Sequence, residues 1–138
     1  MAGNTSPIYS RVGDVQFSVP IVTANTTRDL TSGTSYLCFT ADATNGGYLN
    51  TLFIQPLGTN VQTVIRFWIN NGGTTATATN NVLFAEVTLN ATTSSETLGL
   101  FPSAQPMETA LPPGYRIYAT IGTAIAAGVH VTAVGGKY

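Results

Sequence analysis

The sequence predicts an all-β, single-domain β-sandwich, jelly-roll-like in its connections, with an extended N-terminal arm over residues 1–13 and the sandwich domain over 14–138. Three observations predict it. Val61 to Asn70 alternates strictly, placing Val61, Thr63, Ile65, Phe67 and Ile69 on one face and Gln62, Val64, Arg66, Trp68 and Asn70 on the other. Clusters of Gly, Pro and Asn punctuate the chain at short intervals. No window offers a helix of normal length: the one Ala-rich segment, Ala124 to Ala127, is flanked by Gly122 and Gly128 and is shorter than two turns. The disulfide of an antibody-type sandwich is impossible with a single cysteine, which favours the jelly roll. At 14.4 kDa the chain fits one domain, able to bury roughly two thirds of the surface of its extended form.

Met1 to Gly13 mixes Gly, Asn, Ser, Pro and Thr around Ile8 and Tyr9 without a sustained period, so it reads as an arm ordered by a neighbour. Val15, Phe17 and Val19 alternate with Gln16 and Ser18 ahead of Pro20, a first strand. Thr23 to Ser35 is a polar loop, and Tyr36 to Thr40 is a short apolar strand ended by the turn Asp42 to Gly47. A strand with Leu49, Leu52, Phe53 and Ile54 stops at Pro56, and the turn Gly58-Thr59-Asn60 leads into the strand of Val61 to Asn70. Asn70-Asn71-Gly72-Gly73 ends that strand, and Thr74 to Thr79 is a loop of small residues. Asn81 to Leu89 resumes the alternation, with Leu83, Ala85, Val87 and Leu89 opposite Val82, Phe84 and Glu86. Leu98, Leu100 and Phe101 form a weak strand before Pro102, and Ser103 to Ala110 is expected as a crossing segment. Tyr115 to Ile121 and Gly128 to Val134 are the last two strands, with Tyr115, Ile117, Ala119 and Ile121 on one face of the first and Val129, Val131 and Ala133 on one face of the second.

Composition narrows the function. Only 8% of the chain is Asp, Glu, Lys or Arg, against about 25% in typical soluble domains, which suits a protein pressed against copies of itself or a larger assembly. Arg11, Arg28, Arg66, Arg116 and Lys137 are scattered and the net charge is -1, so no basic stripe exists for direct nucleic-acid binding. Cys38, the lone cysteine, lies in the apolar stretch Tyr36 to Phe39 as a buried thiol; thiolate zinc ligation is excluded. No apolar run approaches the ~20 residues that span a bilayer, and no export signal opens the chain.

Catalysis finds little support. Asp14, Asp29, Asp42, Glu86, Glu96 and Glu108 show no recognised spacing for paired-carboxylate hydrolysis, and all but Glu86 fall in loops or at element ends. His130 alternates with Val129 and Val131, so it points away from the apolar face and lies in no nucleophile-elbow arrangement. Gly72-Gly73 is followed by Thr and Ala, so no phosphate loop forms. No enzyme, cofactor or metal is expected.

Interface candidates are Ile8, Tyr9, Arg66, Trp68, Tyr118 and Tyr138, because Trp, Arg and Tyr dominate binding energy at protein contacts. Trp68 and Arg66 share the face opposite Ile65 and Phe67. Trp68 there meets a partner, joins a second internal core, or forms a carbohydrate-stacking platform. Arg66 lies within cross-strand reach of Glu86 if their strands pair.

The run from Phe39 to Tyr138 carries four recurring segments: Phe39 to Tyr48, Gln55 to Val61, Ile69-Asn70-Asn71-Gly72, and Leu111-Pro112-Pro113-Gly114-Tyr115-Arg116-Ile117-Tyr118. In these it resembles a family of small proteins encoded by tailed bacteriophages, especially those of aquatic hosts; Met1 to Leu37 rests on composition alone. The resemblance implies a virion structural protein of the head decoration or cement type. Its implied partners are the major capsid protein, bound after the shell has formed, and further copies of itself in a homotrimer, on the outer surface of the head. The alternative is a carbohydrate-binding or adhesion module of a neck, tail or fibre component.

Overall fold

In the computed structural model residues 12–138 are described. Eight strands are present: β1 (Val12–Phe17), β2 (Tyr36–Thr40), β3 (Gly47–Pro56), β4 (Thr63–Asn70), β5 (Asn81–Leu89), β6 (Ser103–Leu111), β7 (Arg116–Ile121) and β8 (Val129–Lys137). They form two four-stranded sheets, β1-β8-β3-β6 and β2-β7-β4-β5. All pairings are antiparallel, and they are nested: β1 with β8, β2 with β7, β3 with β6 and β4 with β5. The chain is thus a β-sandwich, folded as one long hairpin whose two arms are shared between the layers.

The core lies between the sheets. Leu52, Ile54, Val131 and Ala133 from the first sheet meet Ile65, Phe67, Ile117, Ala119 and Ile121 from the second. Each of these sits on the apolar face that alternation assigns to it, as do the inward Leu89 and the partly buried Ala85 and Val87 of β5. Val61 is an exception: it precedes β4 and is 59% exposed instead of continuing the core row.

Three local readings are corrected. Ser103–Leu111 is a full edge strand and not a crossing segment, whereas Leu98 and Phe101 belong to no strand and are exposed. The sequence hides β6 because it contains Pro106 and because Glu108 takes φ 45. Both are tolerated because β6 pairs only with β3, and they flank the register shift opposite Leu49 and Thr51. Ala124 to Ala127 is not helical; among the described residues the one helical turn is a 3-10 turn at Ala78–Asn80. β1 starts at Val12, two residues inside the segment assigned to the arm; Ile8, Tyr9 and the rest of residues 1–11 lie outside the described residues.

β1 also turns an unusual side inward. Asp14 and Ser18 are buried, while Val15, Phe17 and Val19 are exposed. The polar side has backbone partners inside. The Gln16 side-chain amide donates from Nε2 to the Thr40 carbonyl (2.8 Å) and accepts at Oε1 from the Thr40 N–H (2.9 Å), joining β1 to β2 across the layers. Ser18 Oγ accepts from the Val131 N–H at 3.1 Å. Turning the strand over would leave the buried Val131 N–H unsatisfied, at about 1–3 kcal/mol, and would unpair the half-buried Thr40 backbone.

Candidate functional site

The two sheets present outer faces of different character. On the outer face of β2-β7-β4-β5 stand Arg66, Trp68, Tyr118 and Thr120, all out of phase with the inward Ile65, Phe67, Ile117 and Ala119. Residues 22–35 cross this face. Their loop begins where the Val22 and Thr23 N–H groups donate to Tyr36 Oη (3.3 and 3.1 Å). It is shaped by the buried Asn25, whose Nδ2 donates to the carbonyls of Ser32 (2.9 Å) and Thr34 (3.0 Å) while its Oδ1 accepts from the Thr27 N–H (2.9 Å).

The loop is pinned on both sides of Trp68. On one side Arg28 Nη1 and Arg66 Nε converge on Glu86 Oε1 at 3.0 and 2.8 Å, and Arg66 Nη1 donates to the Asn25 carbonyl at 3.4 Å. On the other, Asn81 Nδ2 donates to the Asp29 carbonyl at 3.2 Å. Arg28, and then Arg66, hold the Glu86 carboxyl below its ordinary 4.5. Leu30 of the loop is buried although it lies outside the central core.

Trp68 is consequently 2% exposed, and its Nε1 donates to Thr120 Oγ1 at 3.1 Å. Of the three roles open to it in the sequence, the second internal core is the one realised, and it is withdrawn from the candidate contacts. Arg66 is tied to Glu86 and Asn25, which realises the cross-strand pair expected of it. Tyr118 is half-buried between Leu37 and Trp68 in the cross-strand register, and Tyr138 is half-buried beyond the end of β8. The six candidates therefore do not converge: Arg66, Trp68 and Tyr118 share one covered face, Tyr138 stands at a chain end, and Ile8 and Tyr9 lie outside the described residues.

No segment among the described residues covers the outer face of β1-β8-β3-β6. Its rows, read across the strands in that order, are Phe17–Thr132–Phe53–Ala104, then Val15–Val134–Thr51–Pro106, then Gly13–Gly136–Tyr48–Ala110. Phe17 is 75% exposed, and Val15, Phe53 and Val19 are exposed with it. His130, opposite Gln55, lies beyond the Phe17 row and points outward as its alternation requires. No Asp, Glu, Lys or Arg stands in these rows, but Glu108, at the bulge of edge strand β6 between Pro106 and Ala110, is exposed beside them. Past the end of β3, Leu57 and Phe101 extend the apolar exposure, Phe101 at 87%. An uncovered sheet face of this kind is the usual mark of a contact surface.

Sequence reasoning missed this face although the alternation of Val15, Phe17 and Val19 was plain. The available signal was the polar counter-set Asp14, Gln16 and Ser18: Gln16 and Ser18 are drawn inward by backbone hydrogen bonds, and Asp14 accepts from Gln16.

Other recesses offer less chemistry. A hollow of about 360 Å³ is lined by Gln62, Thr63, Val64, Arg66, Thr88, Gly122 and Thr123, and one of about 240 Å³ by Ile69, Asn71, Tyr115 and residues 79–82. Neither brings a carboxylate pair or a nucleophile beside a base. Cys38 is buried, and desolvation pushes its thiol up to about 12, leaving no reactive thiolate. Among the described residues no three His, Cys, Asp or Glu side chains gather as metal ligands, and no helix is long and apolar enough to cross a membrane.

The chain matches no protein-family model, no curated protein and no solved structure.

Proposed function

We propose that this protein is a virion structural component that decorates and stabilises a phage head by binding the assembled major capsid protein lattice from outside. The observation that carries the reading is the largely apolar outer face of β1-β8-β3-β6, which no described segment covers, with Phe17 at 75% exposure. A domain working alone in solution gains nothing from such a face and risks aggregation, whereas an assembly component buries it. The resemblance over Phe39 to Tyr138 supplies the kind of assembly. We read the nested strand order as the jelly roll expected of such a protein.

Many weak attachments suffice for this role. A protein that binds the assembled shell better than separated subunits stabilises it by mass action at every site. The carbohydrate-stacking role named for Trp68 is closed to it, because Trp68 lies beneath its own chain.

Reconstruction of the intact particle tests the proposal. Density for the sandwich on the outside of the head lattice is expected, and heads lacking the protein should rupture at lower temperature. Density confined to neck, tail or fibre would overturn it, and reproducible glycan-array binding would favour the adhesion alternative.

A further inference from the structure

We infer that the outer face of β1-β8-β3-β6 is a two-fold contact between two copies of this chain. The inference concerns what covers this face and stands whether or not the protein works on a phage head.

The face is self-complementary in size. In the row Phe17–Thr132–Phe53–Ala104, large and small side chains alternate at the strand spacing of about 4.8 Å. A two-fold axis parallel to the strands, lying between two stacked sheets, reverses the row in the second copy. Phe17 then faces Ala104 of the other copy, and Thr132 faces Phe53. The same operation sets Tyr48 against Gly136 in the row that ends at Ala110, and Val134 against Thr51 in the middle row. Every aromatic ring meets a small residue, so the sheets interdigitate as two inner faces of a sandwich do.

Charge and area agree with this occupant. The rows hold no Asp, Glu, Lys or Arg, and the exposed Glu108 lies on edge strand β6, which the two-fold sets against β1 and not against the twin's own Glu108, so a copy meets no like charge on its twin. Four strands by about six residues of ~3.3 Å give a patch of roughly 400 Å² in plan on each copy. The projecting sides of Phe17, Val15 and Val19 bring the pair toward the ~1,000 Å² total at which specific interfaces begin. Pairing at that size should be reversible on dilution. The contact is two-fold, unlike the three-fold association that the family resemblance implies.

Sedimentation equilibrium on the full chain over a range of concentrations tests it. A mass rising to twice 14.4 kDa is expected. Phe17→Asp, which burial would force into an apolar contact, should weaken pairing more than about tenfold. Ala104→Phe should also weaken it, by setting ring against ring, and Phe17→Ala with Ala104→Phe should restore it, since only a two-fold places position 17 against position 104. Circular dichroism verifies that each variant is folded; should Phe17→Asp fail to fold, the Ala104→Phe series decides alone.

A mass that stays at 14.4 kDa, a mass of three chains, or a double variant no better paired than Ala104→Phe would overturn the inference. Insensitivity to Phe17→Asp together with loss of association on deleting residues 1–11 would do so too, assigning association to that segment. Attachment to heads is a separate readout: a paired protein that fails to bind them removes the decoration proposal and leaves this contact in place.

Discussion

Cys38 and Trp68 show how far a residue's chemistry depends on what covers it. Cys38 sits at the register shift between Leu37 and Phe39 in β2 with its side chain in the core, and removal from water alone raises its thiol from 9.0 to about 12. An aromatic disulfide reagent at pH 8 should therefore leave the native protein unlabelled and modify one thiol per chain after denaturation; rapid labelling of the folded protein would contradict the burial. Because the folded thiol keeps its proton while the unfolded one loses it above about pH 9, this group's contribution to stability falls as pH rises through that value. Trp68, the single tryptophan, should emit at short wavelength and resist acrylamide quenching. Trp68→Ala should cost about 3–5 kcal/mol in denaturant unfolding, the usual range for emptying a buried aromatic site. A loss under 1 kcal/mol would mean that the loop above Trp68 collapses at little cost. Alternation put Trp68 on the outward side of β4, correctly, but only the loop decided that outward meant covered.

Among the elements, the loop over residues 22–35 is the one tied to its sheet by an ion-pair cluster. Glu86 holds both Arg28 and Arg66, and its carboxyl titrates below 4.5 when folded. A carboxylate with a depressed folded-state value stabilises above its unfolded value and loses that contribution as pH falls through the folded one. Acidification below 4.5 should thus progressively loosen the loop and shift Trp68 emission to the red before the sheets unfold, while Glu86→Gln should show the loosened state at neutral pH. Asp29, held below 3.8 chiefly by the N–H and hydroxyl of Thr31, titrates in the same direction, so the Glu86→Gln comparison separates the two. Unchanged emission in Glu86→Gln would show that Asn25 and Leu30 hold the loop without the ion pairs. In the other sheet, a Cβ at Gly135 would strike the Tyr48 carbonyl oxygen where β3 bulges, whereas Gly99 has open space around it. Gly135→Ala should accordingly cost about 2 kcal/mol or more and Gly99→Ala almost nothing, measured by thermal unfolding; equal effects would mean that the bulge relaxes freely.

For the whole molecule, far-ultraviolet circular dichroism should show a β spectrum, and helix above about 20% would contradict the fold. Unfolding should be a single cooperative transition, because one core links both sheets and the nested pairing joins the first strand to the last. The strands built on strong alternation, β4, β5, β7 and β8, were legible because each buries one face against the same core and side-chain period follows directly from the pleat. β6 was not, since an edge strand with one neighbour accepts Pro106 and a left-handed Glu108 that a central strand would reject.

The sequence by itself determined the all-β class, the apolar faces of the central strands, the cross-strand reach of Arg66 to Glu86, and a composition poor in charge. Those properties are local: they depend on the period of two and on residue type. The tertiary structure decided which outer face is open. Long-range hydrogen bonds from Gln16 to Thr40 turned the polar side of β1 inward, and a loop anchored by Asn25 and Glu86 closed over Trp68. Trp68, one of the six contact candidates, was thereby buried, and Phe17 was left outside. Alternation specifies two faces, but the partner each face meets depends on segments far away in the chain, and no local pattern encodes them.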